Sequence, residues 1–385
     1  MSVYDCSSIR AALPFLSDHT YLNTGTEGLL AEPVLAEYLA AISRQEREGH
    51  AALEWRHAEL ERTRQAVADL LHAHADTITF SRNASDGHNI VLQGLDWQPG
   101  DELLISDQEH PALSHPAAYL QDKRGVKVRV FRIEADPLVT LRSVGAALTA
   151  KTRLIAFSHV SCESGIRLPA KRICQLAREH GAMSLLDGAQ SLGAVPVDIQ
   201  ELACDFFVSN GHKWLCGPKG TGILYVRRNR LGALNLSGVG AGTFESFSWT
   251  GEEFSFGMQP SARRFEFGTR NHAALVGLRA ALSWLHDLGF SNVYRHIGDL
   301  ANNAHRILAE IPGVDVITPR SADKSAGIIT FNVPGRNPAE IAQELRRQGI
   351  ITRHTTTPPG VRTSAAYFNT EQDFARLADA IRTLL

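Results

Sequence analysis

The chain has 385 residues, with 39 Lys plus Arg against 41 Asp plus Glu, giving a formal charge of −2. Its 44% hydrophobic and 21% charged content excludes dominant disorder, and the charge balance excludes the basic excess of a general nucleic-acid binder. No apolar run reaches the roughly 18–20 residues that cross a bilayer, and the first six residues lack a signal peptide's basic start, so a cytoplasmic protein without membrane or nucleic-acid partners is expected.

In chain order, residues 33–71 place Val34, Leu35, Tyr38, Leu39 and Ile42 at helical spacing, with Gly49 a candidate break. Residues 84–95 predict a shorter helix. Strands and helices then alternate: strand 102–106, helix 112–123, a β-rich segment 126–133, strand 153–158, and helix 170–180 ending at Gly181. Three further strands are predicted over 184–187, 206–209 and 222–226. This alternation predicts an α/β unit built on a mostly parallel sheet. Past about residue 262 the pattern changes to helices 272–288 and 292–311, strand 327–333, helix 338–348, a loop, strand 360–363 and helix 370–384. Those longer gaps predict a smaller α+β C-terminal domain. The expected division is a large domain over 20–262 and a small domain from 1–19 and 263–385.

Ligands of open α/β sheets bind at the carboxyl ends of the strands. Four predicted strands end there in polar groups: Glu109-His110, then Ser158-His-Val-Ser-Cys-Glu-Ser-Gly165, then Asp187-Gly-Ala-Gln190, then Ser209-Asn-Gly-His-Lys213. Asp187 alone reads first as an N-cap or turn former. Lys213, in an otherwise uncharged stretch beside Gly211 and Trp214, is either a surface lysine or a semi-buried amine able to form a Schiff base. Together they suit pyridoxal phosphate, which needs a lysine for its aldehyde and a carboxylate to keep its ring nitrogen protonated. Phe80-Ser-Arg-Asn-Ala-Ser-Asp86, opening a helix, offers backbone N–H groups and the Ser85 hydroxyl to a phosphate, or is an ordinary capped helix start.

The segments Asp187-Gly-Ala-Gln-Ser-Leu-Gly-Ala-Val-Pro-Val-Asp198 and Ser209-Asn-Gly-His-Lys-Trp-Leu-Cys-Gly-Pro-Lys-Gly-Thr-Gly222 resemble the class V aminotransferase family, which includes cysteine desulfurases, cystine C–S lyases and isopenicillin N epimerases. The resemblance runs from about Tyr21 to the C-terminus. It implies a fold-type I architecture, pyridoxal phosphate and a homodimer with shared active sites. It also implies that Lys213 holds the cofactor aldehyde and moves the Cα proton. Asp187 would pair with the ring nitrogen, Gln190 reach the phenolic oxygen, and His110 stack on the ring. Ala84, Ser85, Asn210 and His212 would hold the phosphate, with Thr269 crossing to the partner's phosphate. Arg362 would bind the substrate carboxylate, and Asn23 would line the site.

Cysteine desulfurases carry a nucleophilic Cys shortly before that Arg. Here the stretch is Ile351-Thr-Arg-His-Thr-Thr-Thr-Pro-Pro-Gly360, and the five cysteines lie elsewhere, at positions 6, 162, 174, 204 and 216. None forms a C-x-x-C pair, so neither a metal site nor a disulfide framework is expected. Cys162 is read as a buried thiol or as a neighbour of the cofactor. The expected reaction is β-elimination from a sulfur-containing amino acid. Transamination, epimerisation and a cofactor-binding protein without turnover are the alternatives.

Overall fold

The computed structural model describes residues 4–385, so residues 1–3 of the expected small domain lie outside the described residues. The long apolar-periodic stretch folds as two helices, Glu32–Glu48 and Leu53–Leu71. They part at Gly49, whose φ of +54° only a residue without Cβ adopts cheaply.

Seven strands form the main sheet: β1 (Ile78–Ser81), β2 (Glu102–Ser106), β3 (Lys127–Phe131), β4 (Thr152–Ser158), β5 (Met183–Asp187), β6 (Phe206–Asn210) and β7 (Gly222–Val226). Their order is β1-β7-β6-β5-β4-β2-β3. Strands β3, β2, β4, β5 and β6 run parallel, and β7 is antiparallel to both neighbours. The central strands are apolar on both faces because helices cover both. Ile155, Phe157, Leu186 and Phe207 pack on one side, and Leu154, Ala156, Leu185 and Phe206 on the other. Burying each of the larger side chains contributes about 1.5–3 kcal/mol.

The connection after β2 runs outward to β3, and the next strand, β4, lies on the opposite side of β2. That reversal opens a crevice at the carboxyl ends of β2 and β4. A helix at Pro137–Ala147, which the sequence reading passes over, starts on the cap Asp136 and returns the chain from β3 to β4.

Beyond this sheet lies an exposed hairpin, β8 (Phe244–Trp249) with β9 (Phe254–Met258). The smaller C-terminal sheet contains β10 (Asp315–Val316), β11 (Ile328–Asn332), β12 (Arg353–Thr356) and β13 (Pro359–Ser364), in the antiparallel order β10-β11-β13-β12. Helices Phe290–Ala309, Pro338–Arg347 and Glu371–Leu384 pack on it around Phe331, Leu345 and Phe374. Thr20–Tyr21 pairs in parallel with Ile350–Ile351 as a separate two-stranded sheet, and Arg10 bonds Asp373 on the last helix at 2.9 Å, so this early segment is fastened to the C-terminal part of the chain. Among the described residues no helix is long and apolar enough to cross a membrane.

Candidate functional site

The polar strand ends meet in one cavity of about 230 Å³, lined by Ala84, Ser85, His110, Ser158, Cys162, Asp187, Gln190, Asn210, His212, Lys213 and Arg353 among others. Eight of the proposed residues are thus brought together. A larger cleft of about 600 Å³, beside Leu70, Pro196 and Phe290, holds none of them.

Asp187 closes β5. Burial alone would push its carboxyl up, but it is held below the usual carboxylate range by His88, by Lys213 and by the Ala189 N–H. His88 Nε2 lies 2.9 Å from Oδ2, and Ala189 N–H donates to Oδ1 at 2.7 Å. His88 stands on the helix Ala84–Gly94, one turn after Ser85, and reading the strand ends alone misses it.

Lys213 follows β6 and is half-buried, and burial lowers its pKa against the opposing pull of Asp187. Its ammonium has no hydrogen-bond or ion-pair partner among the described residues. The backbone around it is strained: Cys216 N–H donates to Lys213 O at 2.9 Å while Cys216 sits at a φ of +52°. Gly28 N–H donates to His212 O at 2.7 Å from the other side. A Cβ at Gly28 would overlap Lys213 O and come within 2.6 Å of Cys216 Sγ, so only glycine fits there.

The helix Ala84–Gly94 points its N-terminus into the cavity. Asn83 caps it by accepting from Asp86 N–H at 2.9 Å, and Asn210 Oδ1 accepts from Ala84 N–H at 2.8 Å. Among the described residues the Ser85 N–H and hydroxyl have no partner, and His212 Nδ1 is enclosed without one. A helix N-terminus with open donors is a phosphate cradle. An unpartnered lysine, an ionised aspartate and this orphaned imidazole nitrogen fit the aldehyde, ring nitrogen and phosphate of pyridoxal phosphate. Asn210 retains its amide N–H groups for the phosphate, its oxygen being already engaged.

Gln190 is held at both ends. Its Nε2 donates to Gly25 O at 2.8 Å, and its Oε1 accepts from Trp214 Nε1 at 2.9 Å. One amide hydrogen remains for the cavity. His110 caps the helix Pro111–Arg124 through Nδ1, which accepts from Ala112 N–H at 3.0 Å. Burial, then the charge of Lys213, lowers its pKa to about 4. His110 is therefore a neutral imidazole with its proton on Nε2, suited to lie against a ring rather than to carry charge.

Arg362, on β13, is 1% exposed and has no carboxylate partner among the described residues. Its Nη1 donates to Cys162 O at 2.9 Å, and its Nη2 donates to Thr26 Oγ1 at 2.6 Å and Asn23 Oδ1 at 3.4 Å, while Nε is unpaired. An enclosed guanidinium without an acid is a site prepared for an anion. Arg353 stands opposite Arg362 in register, lines the cavity and also lacks an acid partner among the described residues. The stretch 353–359 was expected to be a loop, but it forms β12 and the turn into β13 because Thr355 and Thr356 pair with Gly360 and Pro359. Read as part of a loop lining the substrate pocket, Arg353 has no role of its own in the sequence for that reason.

Thr269 is not brought to this cavity within the chain. It lies in a separate cleft with Arg82, Asp86, Gly268 and Arg270.

Residues 30–377 match the family model described as Aminotransferase class-V. A probable cysteine desulfurase of Methanothermobacter thermautotrophicus is 29% identical, with 98% of this chain and 97% of that protein covered. Isopenicillin N epimerase of Streptomyces clavuligerus is 31% identical over 83% of each chain. A structure of the cystine C–S lyase C-DES with its product cysteine persulfide superimposes at a TM-score of 0.90, with 29% identity over 96% of this chain and 99% of that one. A C-DES mutant with glycine covalently linked to its PLP cofactor superimposes at 0.91, with 30% identity over 97% and 98%. The family match, the parallel sheet and the lysine–aspartate–phosphate-cradle arrangement agree: this chain belongs to the class V aminotransferase family of pyridoxal-phosphate enzymes.

Proposed function

We propose that the chain is a β-lyase for a sulfur-containing amino acid, working as a homodimer with shared sites. One observation carries the choice over a desulfurase: the cavity holds no thiol able to ionise near neutral pH. Cys162, which lines it, is pushed up to about 11 by burial, and the β12–β13 hairpin contains no cysteine. A persulfide route needs a thiolate acceptor; elimination does not.

Pyridoxal phosphate supplies the electron sink for a carbanion at the substrate Cα. Asp187 keeps the ring nitrogen protonated, and Ser85, Asn210 and His212 bind the phosphate. Arg362, flanked by Asn23, takes the α-carboxylate. Lys213, its proton affinity lowered by burial, removes the Cα proton and can deliver it to the departing sulfur. Arg353 gives a second anionic group a partner, which favours a substrate such as cystine with a carboxylate at each end.

The test is incubation of the cofactor-loaded protein with cystine, cysteine and alanine. Pyruvate release from cystine without an amino acceptor is expected. Keto acid formed only when an acceptor is supplied would make it a transaminase, and a changed Cα configuration with no product release would make it an epimerase. Lys213→Ala should lose both turnover and the visible band of the loaded protein. Wild-type protein that stays colourless with added cofactor would overturn the cofactor assignment.

A further inference from the structure

One titratable group at the site has no part in this scheme. Glu109 follows β2, beside the crevice where the sheet reverses direction. It is part-buried, and its carboxyl ties the ends of β2 and β4 together. Ser106 Oγ and Ser158 N–H donate to Oε1, the latter at 3.1 Å, and Ser158 Oγ donates to Oε2 at 2.6 Å. Among the described residues no cation pairs with it. In register, Ser158 on β4 stands beside Asp187 on β5, so the residue that holds the Glu109 carboxyl on one side of β4 is next to the Asp187 carboxyl on the other.

We propose that Glu109 is a positioning residue of the cofactor site, whose carboxyl gains and loses a proton between the two serine hydroxyls and so sets the negative charge that Asp187 and the bound cofactor experience. Three features support this. A hydroxyl can donate to a carboxylate or accept from a carboxylic acid, so both forms of Glu109 remain hydrogen-bonded. A strut without a titration role would be served as well by an amide. Burial, opposed by the serine bonds and assisted by the charge of Asp187, raises the carboxyl to about 7.

The other titratable groups around it fit the same picture. Asp187 faces it from β5, with His88 behind Asp187. His110 is next in the chain and is neutral near pH 7. Cys162, beyond β4, stays a thiol. Lys213 lies across the cavity. At low pH Glu109 is neutral, and Asp187 is the anion that would pair with the cofactor's ring nitrogen. As pH rises through neutrality Glu109 ionises, and the added negative charge strengthens proton binding by Lys213 and by the ring nitrogen. The released proton passes to solvent.

The variant is Glu109→Gln. Its amide retains the bonds at Oε1, and the Ser158 hydroxyl turns to accept from the new N–H. Infrared difference spectroscopy of the holoenzyme should show a neutral carboxyl stretch that vanishes as pH rises through about 7 in the wild type, and no such transition in E109Q. The visible band should titrate at a pH lower by about one unit in E109Q, since an anion near its proton site is gone. An infrared transition that persists in E109Q, or a visible midpoint that does not move, overturns the proposal. Should E109Q fail to fold, Ser106→Ala removes one donor to the ionised form. The infrared transition then moves to higher pH, and no movement overturns the proposal. The infrared measurement needs neither substrate nor turnover, so a failed lyase assay leaves it readable.

Discussion

Asp187 ionises because of what stands behind it. An aspartate at a strand end in an apolar sheet would hold its proton, and the contact with His88 at 2.9 Å reverses that tendency. Lys213, Asp187 and the residues proposed for the phosphate stand out in the sequence because each ends or follows a strand or opens a helix within a specific motif. His88, Glu109 and Arg353 gained no role there for three different reasons. His88 is in mid-helix, where a histidine carries no signal of its own. Glu109 is visible beside His110, but its bridging partners come from β2 and β4 together. Arg353 matters through its register with Arg362, which no reading of consecutive residues supplies. For Arg353 the expected outcome is specific. Arg353→Met should raise KM for cystine roughly tenfold or more, as loss of a charge-assisted pair implies. KM for cysteine, which has one carboxylate, should change little. Steady-state kinetics on the two substrates decides it, and an equal rise for both would remove the second-anion role.

At the scale of elements, the sequence reading found the parallel strands of the main sheet and the long helices to within a residue or two, because their apolar runs are short, regular and bounded by caps. It missed the strand Ile78–Ser81, the helix Pro137–Ala147 and the hairpin β8–β9, and left the stretch before Gly360 as a loop. In strand β8 of the hairpin only Phe247 and Trp249 alternate with serines, and nothing among the described residues covers them, so the hairpin's apolar residues do not mark a core. The short segment 23–28 was valued only for Asn23, yet it joins the two sheets. Gly25 N–H donates to Ser364 Oγ at 3.0 Å, Thr26 meets Arg362, and Gly28 supports the backbone of His212. Gly28→Ala should destabilise the fold by about 1–3 kcal/mol, the usual cost of overpacking. It should also reduce cofactor retention by displacing Lys213. Denaturant midpoints together with visible absorbance measure both, and normal loading at wild-type stability would refute the close fit described for Gly28.

For the whole molecule the conspicuous surface is the β8–β9 hairpin. Trp249 and Phe254 are each 64% exposed, Phe256 58% and Phe247 56%. A two-stranded hairpin is marginal in water without something to pack on, and in the proposed homodimer a second copy of the chain provides it. The cleft holding Thr269 is separate from the chain's own cavity, and in the proposed homodimer that threonine would be left to serve the partner's phosphate. Replacing Trp249 and Phe254 together by Ser should yield a monomer that retains cofactor less well. Sedimentation of a fully loaded monomer would contradict the shared-site arrangement.

The bond between Gly25 and Ser364 joins residues 339 apart. On a growing chain the lysine, the aspartate and the phosphate cradle are all synthesised long before Ser364 and Arg362 exist. The main sheet can therefore form while the opening segment still lacks its final partner. Such late, long-range closure belongs to the slow end of folding. It also places one proposed recognition group last in time: a chain halted before residue 360 could carry every proposed cofactor contact from its own residues up to Lys213, yet lack Arg362, proposed for the substrate α-carboxylate, and the Ser364 hydroxyl that holds Gly25.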